Sequence, residues 1–303
     1  MLVYRLQPGG DGVDSAEQAK TVEILCARMR ALGVSGAGVE PVGEGRIRVT
    51  LSEDSGVRRE FVEAPGTLGF YDWEASLIGR ERVLGGHPGR QPSAAAIAAA
   101  EAEWRAAGRN PRSLENAALL AAGAYPTVEA AVELASESGP TDAVVVSEAP
   151  VTERGLVDEE AEPGWYALRD DPALSNEDIV NPRQEIDEFG TPNVTFEFTE
   201  EGRRAFHEVT RTIAQRGQQG VVGSVSPEEA ETLSGHFAVV FDDEVEVRPV
   251  VNFVDNPDGI DGRAGAQISG GFETVKEARE FAALLGTEPL PAPLVLVSRR
   301  GAD

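Results

Sequence analysis

The sequence predicts an α+β protein with two lobes, and three observations support this. Short alternating apolar runs typical of strands are interspersed with amphipathic stretches that have helical spacing. Capping-box pairs mark helix starts, as in Asp14 with Glu17 and Thr274 with Glu277. The chain of 303 residues has the length of about two ordinary domains.

The first part of the chain reads as strand, helix, strand and strand. Residues 2–6 alternate, and a helix from Asp14 ends at Gly33. Residues 46–51 alternate again, and the aromatic run LGFYDW at 68–73 favours another strand. This order is half of a ferredoxin-like unit.

The composition then changes over residues 79–164, which begin rich in alanine, glycine and arginine. Alanine favours a helix at 94–107, and apolar spacing favours another at 127–136. The run at 142–147 is typical of a strand, whereas 148–164 is acidic and reads as a loop. We interpret 79–164 as an insertion that is mostly helical and partly mobile.

Strand and helix patterns resume after the insertion. The predicted elements are a strand at 165–168, a strand at 194–198, a helix capped by Thr199, a loop at 215–235 and a hairpin at 236–251. Asp242 and Asp243 occupy the hairpin turn, whose type the sequence leaves open.

The final segment organises the rest of the chain. A strand at 264–268 leads through Gly270 and Gly271 to a helix that begins at Thr274 and ends at Gly286. Three prolines then alternate with apolar residues: Pro289, Pro291 and Pro293 with Leu290, Ala292 and Leu294. Prolines spaced by two cannot continue a helix, so this segment is predicted to be a stiff, extended connector into a last strand at 295–298.

The chain resembles the extracytoplasmic domain of SecD, a subunit that assists the Sec protein-export channel. The resemblance is carried by AQISGGF, KEAREFAALL and LPAPL within 265–294, and by PNVTFEFTEEGRRAF at 192–206. The segment RMRALGVSGAGVE at 28–40 is also similar, and FYDWE at 70–74 is typical of actinobacterial SecD proteins. Together these similarities cover residues 1–78 and 165–298.

The resemblance implies a ferredoxin-like base subdomain at 1–78, with 291–303 as its return strand, and an inserted α+β head subdomain at 165–290. It also implies work beside SecF and the Sec channel, on the outer face of the plasma membrane. There the domain would bind emerging preprotein and aid export by head movement coupled to the proton-motive force. The membrane helices that anchor such a domain are absent from this sequence, so we expect a chain cut just after the first of them.

The same resemblance suggests where movement and binding occur. Pro289, Pro291 and Pro293 are the candidate hinge, and Pro289, which the family usually lacks, is predicted to stiffen it. No residue pattern defines the preprotein-binding surface. Phe272 in the glycine turn is the candidate, with a core aromatic as the alternative.

Bulk composition disfavours several classes of partner. A net charge of −25 disfavours binding to nucleic acid and to anionic lipid headgroups, and it favours solubility. The single cysteine, Cys26, excludes an intrachain disulfide and is predicted to pack in a helix face. No apolar run approaches the roughly 20 residues of a membrane span.

Motifs of catalysis and metal binding are missing. His87, His207 and His236 lack the spacing of a zinc site, and the acidic segment 255–262 has Pro257 at a calcium-ligand position. We therefore expect no enzyme activity, no cofactor and no metal, although weak cation binding at 255–262 stays open. The alternatives are a free-standing ligand-binding or regulatory module, which a ligand between the lobes would favour, and a hydrolase, which a close carboxylate pair in a cleft would favour.

Overall fold

The computed structural model describes residues 1–7, 14–78, 125, 127–138, 143–149, 162–219, 221, 225–269 and 271–299. Their helices and strands confirm the α+β class. The helix predicted at 94–107 lies outside the described residues. No helix within the described ranges is long and apolar enough to cross a membrane.

The strands, in chain order, are β1 (Leu2–Leu6), β2 (Gly38–Pro41), β3 (Arg46–Thr50), β4 (Leu68–Asp72), β5 (Ala143–Glu148), β6 (Gly164–Arg169), β7 (Leu174–Ser175), β8 (Ile179–Ile186), β9 (Pro192–Phe198), β10 (Gly235–Phe241), β11 (Glu244–Val247), β12 (Val250–Val251), β13 (Ala266–Ser269) and β14 (Leu294–Arg299). The α-helices are α1 (Ser15–Ala31), α2 (Arg59–Glu63), α3 (Trp73–Ser76), α4 (Val128–Ser138), α5 (Glu200–Gln218), α6 (Pro227–Leu233) and α7 (Val275–Leu285). Short 3₁₀ turns lie at Glu53–Ser55 and Asn176–Asp178.

The chain divides into two compact units. Unit 1 contains Met1–Leu68, Ile179–Glu197 and Gly265–Asp303, and unit 2 contains Gly69–Asp178 and Phe198–Ala264. Each unit therefore consists of segments that are far apart in the sequence.

Unit 1 is built on a four-stranded sheet in the order β14-β1-β3-β2, in which every neighbouring pair is antiparallel. With α1 between β1 and β2 and α7 before β14, this is the order of a β-α-β-β-α-β unit. Alternation along β1 and β3 buries Tyr4, Leu6, Ile47 and Val49 on one face. A second, three-stranded sheet in the order β13-β9-β8 belongs to the same unit.

Unit 2 is built on a sheet in the order β6-β5-β11-β10-β4-β7, with β12 paired to β10. Apolar side chains from its strands and from α3 form a cluster that includes Trp73, Tyr166, Leu168 and Val240. Helix α4 packs on β5 and β6 through Ala131, which is fully buried. The pairing of β5 with β6 makes residues 143–148 part of this core.

The predicted hairpin is confirmed, and its turn type is settled. Phe241 pairs with Glu244, and Asp242 and Asp243 between them have φ angles of 48° and 66°. Two central residues with positive φ define a type I′ turn, whose twist matches that of the flanking strands.

The loop predicted at 215–235 is wrong in two places. Helix α5 continues to Gln218, and α6 occupies Pro227–Leu233. The missed signal is Ser226 followed by Pro227 and, three residues after the serine, Glu229. That pattern is a capping-box sequence with proline at the first helical position.

The compact units also differ from the predicted subdomain boundaries at 78, 164 and 290. Residues 179–197 and 265–290 group with unit 1, because α7 packs beside β8 and β13 pairs with β9. Residues 69–78 and 143–148 group with unit 2 through its large sheet. The base and head boundaries therefore stay a prediction about functional subdomains and do not describe the compact units.

Candidate functional site

The proline segment between α7 and β14 is held against the rest of unit 1. Leu290 N donates to Pro65 O at 2.8 Å, and Gln7 N donates to Pro293 O at 2.9 Å. The alternation seen in the sequence has a structural result, since Leu290, Ala292 and Leu294 are buried. Pro291 and Pro293 face outward, and Pro289 is half-buried.

Arg28 on α1 anchors the turn to which this segment binds. Its side chain is fully buried and donates to Ala64 O and to Pro65 O, the latter at 2.8 Å. Thr287, just after α7, lies 3.4 Å from the arginine Nε. Gly66 has a φ of +82°, and a Cβ there would lie 2.5 Å from Arg28 Nη2, so this turn accepts only glycine.

The prolines of the predicted hinge lie within unit 1 and not at a junction between the two units. Both neighbours of the segment, α7 and β14, belong to unit 1. The chain passes between the two units elsewhere, at the junctions 68/69, 178/179, 197/198 and 264/265. A hinge at Pro289, Pro291 and Pro293 stays a prediction, and it would act inside unit 1 rather than at a junction.

Phe272 lies in the turn before α7 and is half-buried. Its ring centroid is 5.3 Å from that of Phe281, a buried residue of α7. Packing against Phe281 is sufficient to explain an aromatic residue at this position. The contact therefore favours the alternative that Phe272 is a core aromatic. A role in preprotein binding stays a prediction.

Unit 2 contains a buried charge network that the sequence reasoning missed. Arg216 on α5 donates to both oxygens of Asp72, at 2.6 and 3.0 Å, and its Nη2 is 3.7 Å from Glu74 Oε2. Glu74 Oε1 lies 2.7 Å from His236 Nδ1, and the backbone N–H of His236 donates to the same carboxylate. Glu74 and His236 are 3% and 6% exposed, so the network lies inside unit 2.

Hydrogen bonds decide the charge state of this network. Burial alone would raise the pKa of Glu74, but the hydrogen bonds and charge of His236 lower it below the ordinary glutamate value. Burial would likewise lower the pKa of Arg216, and the bond with Asp72 raises it instead. Both groups therefore stay ionised, and the arrangement is that of a satisfied internal ion network.

Glu246 on β11 differs from Glu74, because its pKa is raised rather than lowered. Burial, followed by the charges of Glu244 and Asp242, raises its pKa to about 8. No cation among the described residues forms an ion pair with it. Its neighbour Arg248 instead bonds Glu148 at 3.1 Å and stacks over the Trp73 ring at 4.7 Å.

The histidines predicted not to form a zinc site are placed apart. His207 lies half-buried on α5, His236 belongs to the network of unit 2, and His87 lies outside the described residues. Within the described part of the chain, no group of three or more His, Cys, Asp or Glu side chains is arranged to hold a metal ion.

The acidic segment 255–262 packs against α5. Ile260 N donates to Thr210 Oγ1 at 2.9 Å, and Gln218 Nε2 donates to Pro257 O at 2.9 Å. Gly259 has a φ of +86°, and a Cβ there would lie 2.6 Å from Arg211 N. Close packing on the helix explains the glycine, and the aspartates of the segment are exposed.

The residues that stabilise these sites carried weak sequence signals. Arg28 sits among apolar helix positions, at spacing that places it on the buried face with Leu25 and Met29. Asp72 lies in the predicted aromatic strand and Glu74 follows it, but nothing in the sequence shows that Arg216 and His236 would meet them. Their partners are more than 140 positions away, and only the fold supplies that information.

The comparisons with known proteins all match SecD or SecDF proteins. Residues 151–292 match the family model of the SecDF P1 head subdomain. The chain is 30% identical over 129 residues to protein translocase subunit SecDF of Thermus thermophilus, covering 43% of this chain and 14% of that protein. It is 29% identical over 136 residues to protein translocase subunit SecD of Calditerrivibrio nitroreducens, covering 45% and 21%. The chain thus matches about a fifth or less of the length of these relatives.

Two solved structures share the fold. One, titled as the structure and function of a membrane component SecDF that enhances protein export, has a TM-score of 0.51 at 21% identity and covers 99% of both chains. The other, SecDF in a super-membrane-facing form, has a TM-score of 0.52 at 22% identity and covers 98% of this chain and 29% of that one. The resemblance to SecD inferred from the motifs is confirmed, because residues 151–292 match the model of the SecDF P1 head subdomain and the matching relatives are SecD and SecDF proteins.

Proposed function

We propose that this chain is the extracytoplasmic part of a Sec translocase accessory subunit, held at the outer face of the plasma membrane by membrane helices of a longer protein. The observation that carries the proposal is the match of residues 151–292 to the SecDF P1 head. The relatives are named protein translocase subunits, and one structure with this fold is titled a membrane component that enhances protein export.

In this role the chain binds emerging preprotein and aids its export. Its partners are SecF, the Sec channel and unfolded preprotein, and head movement against the base is coupled to the proton-motive force elsewhere in the protein. Each compact unit contains its own sheet and its own buried side chains, which supports movement of parts of the chain as bodies. Because the unit boundaries differ from those of base and head, this supports movement in general and not that particular division.

The proposed role is mechanical, without an enzyme activity or a cofactor. The two buried-network carboxylates, Asp72 and Glu74, share the guanidinium of Arg216, and Glu74 also binds His236. Their oxygens are bound to side chains inside unit 2. This supports a structural role for the two carboxylates rather than a role in hydrolysis.

The proposal is tested by following export in the source organism. We expect deletion of the gene to slow the maturation of secreted preproteins in pulse–chase labelling, and a plasmid copy to restore it. Cytoplasmic protein synthesis in the same cells is the control. Unchanged maturation after deletion would contradict the proposal and favour the ligand-binding or regulatory module.

The predicted stiffening by Pro289 has its own test. Spin labels at Glu23 in the predicted base and Glu208 in the predicted head, both exposed, report the distance between base and head in a Cys26→Ser background. We expect Pro289→Ala to broaden the distribution of distances, whereas Pro41→Ala, at the end of β2, is the control and leaves it unchanged. An identical distribution for Pro289→Ala would contradict a hinge role of this segment.

A further inference from the structure

The open face of the four-stranded sheet of unit 1 carries arginines. Alternation places Tyr4 and Ile47 on the buried face, so Arg5, Arg46 and Arg48 lie on the other one. We call this surface the outer sheet face; it consists of Val3, Arg5, Glu40, Arg46, Arg48, Thr50, Val295 and Val297.

Two of these arginines are directly opposed. Arg5 on β1 pairs in register with Arg46 on β3, and both side chains are exposed. Neither forms an ion pair with a carboxylate among the described residues, whereas Arg48 bonds Glu40 at 2.7 Å. Like charges directly across an antiparallel pair destabilise a sheet, so folding does not explain the placement.

The local charge opposes that of the whole protein. Three arginines face one glutamate on this surface, in a chain with 52 acidic and 27 basic residues. An anionic partner is therefore repelled by the net charge of the chain and attracted by this face. Such a distribution orients the chain toward the partner.

Valines complete the surface. Val295 lies directly across from Arg5, and Val297 is 50% exposed. Among the strand residues that form this face there is no Tyr or Trp side chain of the kind that anchors protein–protein contacts. Guanidinium groups bind phosphate oxygens in pairs, and short apolar side chains between them suit the shallow boundary of a lipid layer.

We propose that the outer sheet face rests on anionic phospholipid headgroups and sets the orientation of unit 1 at a membrane. Each arginine near an anionic lipid surface raises the affinity for that surface by about fivefold. Two arginines, Arg5 and Arg46, are too few to recruit the chain from solution, but they suffice to orient a chain that is already held at the membrane. The inference rests on the proposed function, in which membrane helices of a longer protein hold the chain at the membrane.

The experiment uses the 303-residue chain tethered to vesicles by a C-terminal histidine tag and a nickel-chelating lipid. An environment-sensitive fluorophore is placed at Thr50→Cys on the outer sheet face, or at Glu23→Cys on α1, in a Cys26→Ser background. Vesicles of phosphatidylcholine are compared with vesicles containing about a third phosphatidylglycerol, and lipid-borne quenchers report proximity.

We expect quenching at position 50 to rise about twofold with phosphatidylglycerol, and quenching at position 23 to stay constant. The double variant Arg5→Glu/Arg46→Glu should abolish the rise, as should about 0.5 M salt. The matched control, Arg204→Glu/Arg211→Glu, changes the net charge equally at exposed positions on α5 and should retain it.

The proposal is overturned if phosphatidylglycerol has no effect, or if both double variants lose the rise equally. It is also overturned if the chain ignores phosphatidylglycerol but binds a polyglutamate peptide through Arg5 and Arg46, which would assign the face to an acidic protein. Either failure leaves the export test of the proposed function standing, because that test does not depend on lipid charge.

Discussion

Each unit of this protein contains an arginine withdrawn from solvent, fully in unit 1 and partly in unit 2, and the two arginines are stabilised in different ways. Arg28 in unit 1 is fully buried and donates to the backbone carbonyls of Ala64 and Pro65. Arg216 in unit 2 keeps 29% of its side chain exposed and binds the carboxylates of Asp72 and Glu74, next to His236. One arginine therefore has neutral partners and the other has ionised partners.

Because their partners differ, the two arginines predict different responses of the two units to acid. Carbonyl oxygens do not titrate, so the contacts of Arg28 persist at every pH at which the chain is folded. Carboxylates do titrate, so the network in unit 2 weakens when Glu74 is protonated. Unit 1 and unit 2 can be read separately by hydrogen exchange of their own peptides.

The largest effect is expected from Arg28→Ala. The change leaves the carbonyls of the turn at 64–65 without their donors and opens a cavity, and it should destabilise unit 1 by about 3–5 kcal/mol. Denaturant-dependent hydrogen exchange of unit 1 peptides measures it. Arg30→Ala on the same helix is the control and should change stability by less than about 0.5 kcal/mol. Equal losses of stability in the two variants would contradict the interpretation of Arg28 as the anchor of the turn that binds the proline segment.

Glu74→Gln should destabilise unit 2 by about 2–3 kcal/mol near neutral pH, because Arg216 and His236 lose a shared anion inside the unit. The folded pKa of Glu74 is lowered, so its contribution is complete above its ordinary value of 4.5 and is lost as the pH falls below it. The difference between wild type and variant should therefore shrink below about pH 4.5.

The measurement is the stability of unit 2 peptides from neutral pH down to about pH 3, so that the range extends below 4.5. Glu201→Gln, which removes an exposed ion pair on α5, is the control and should have an effect within about 0.5 kcal/mol. A constant difference at all pH values would show that Glu74 is not the titrating group.

Glu246→Gln should act in the opposite direction. A folded pKa raised to about 8 means that the stability linked to the protonated side chain is present below pH 4.5 and is lost as the pH rises toward 8. The variant should gain about 1–2 kcal/mol over wild type near pH 8 and nothing near pH 5, after allowing for the partial exposure of the side chain. Thermal unfolding at the two pH values tests this, and a gain that is equal at both would contradict the raised pKa.

The smallest effect is expected at the hairpin turn. Asp243→Gly replaces a residue at a φ of 66° by one that adopts it freely, and should stabilise unit 2 by up to about 1 kcal/mol. The matched variant Asp242→Gly, at a φ of 48°, should give a similar gain. A loss of stability in both variants would mean that the aspartate side chains contribute contacts that outweigh the backbone strain.

Local rules sufficed for much of the fold. The capping boxes at Asp14 and Thr274 are present in the structure, and the strands predicted at 2–6, 46–51 and 68–73 form within a residue of their expected bounds. These elements are set by neighbours within four positions, which a sequence shows directly.

The arrangement of the units and the buried networks could not be read in the same way. The grouping of 179–197 and 265–290 with the first sheet depends on β13 pairing with β9 and on α7 packing beside β8. The meeting of Glu74 with His236 joins positions 162 apart, and the pairing of Arg5 with Arg46 depends on strand register. Such contacts follow from tertiary packing, and no pattern within one segment encodes them.

The proposed contact between this chain and preprotein during export can be tested by crosslinking in the intact membrane. A secreted protein carrying a photoreactive residue is stalled partway through export by a stably folded C-terminal domain, and crosslinked partners are mapped by mass spectrometry. We predict crosslinks to peptides of residues 151–292 that disappear when the stalled protein is chased out. Crosslinks to the channel with none to this chain would contradict the proposed contact.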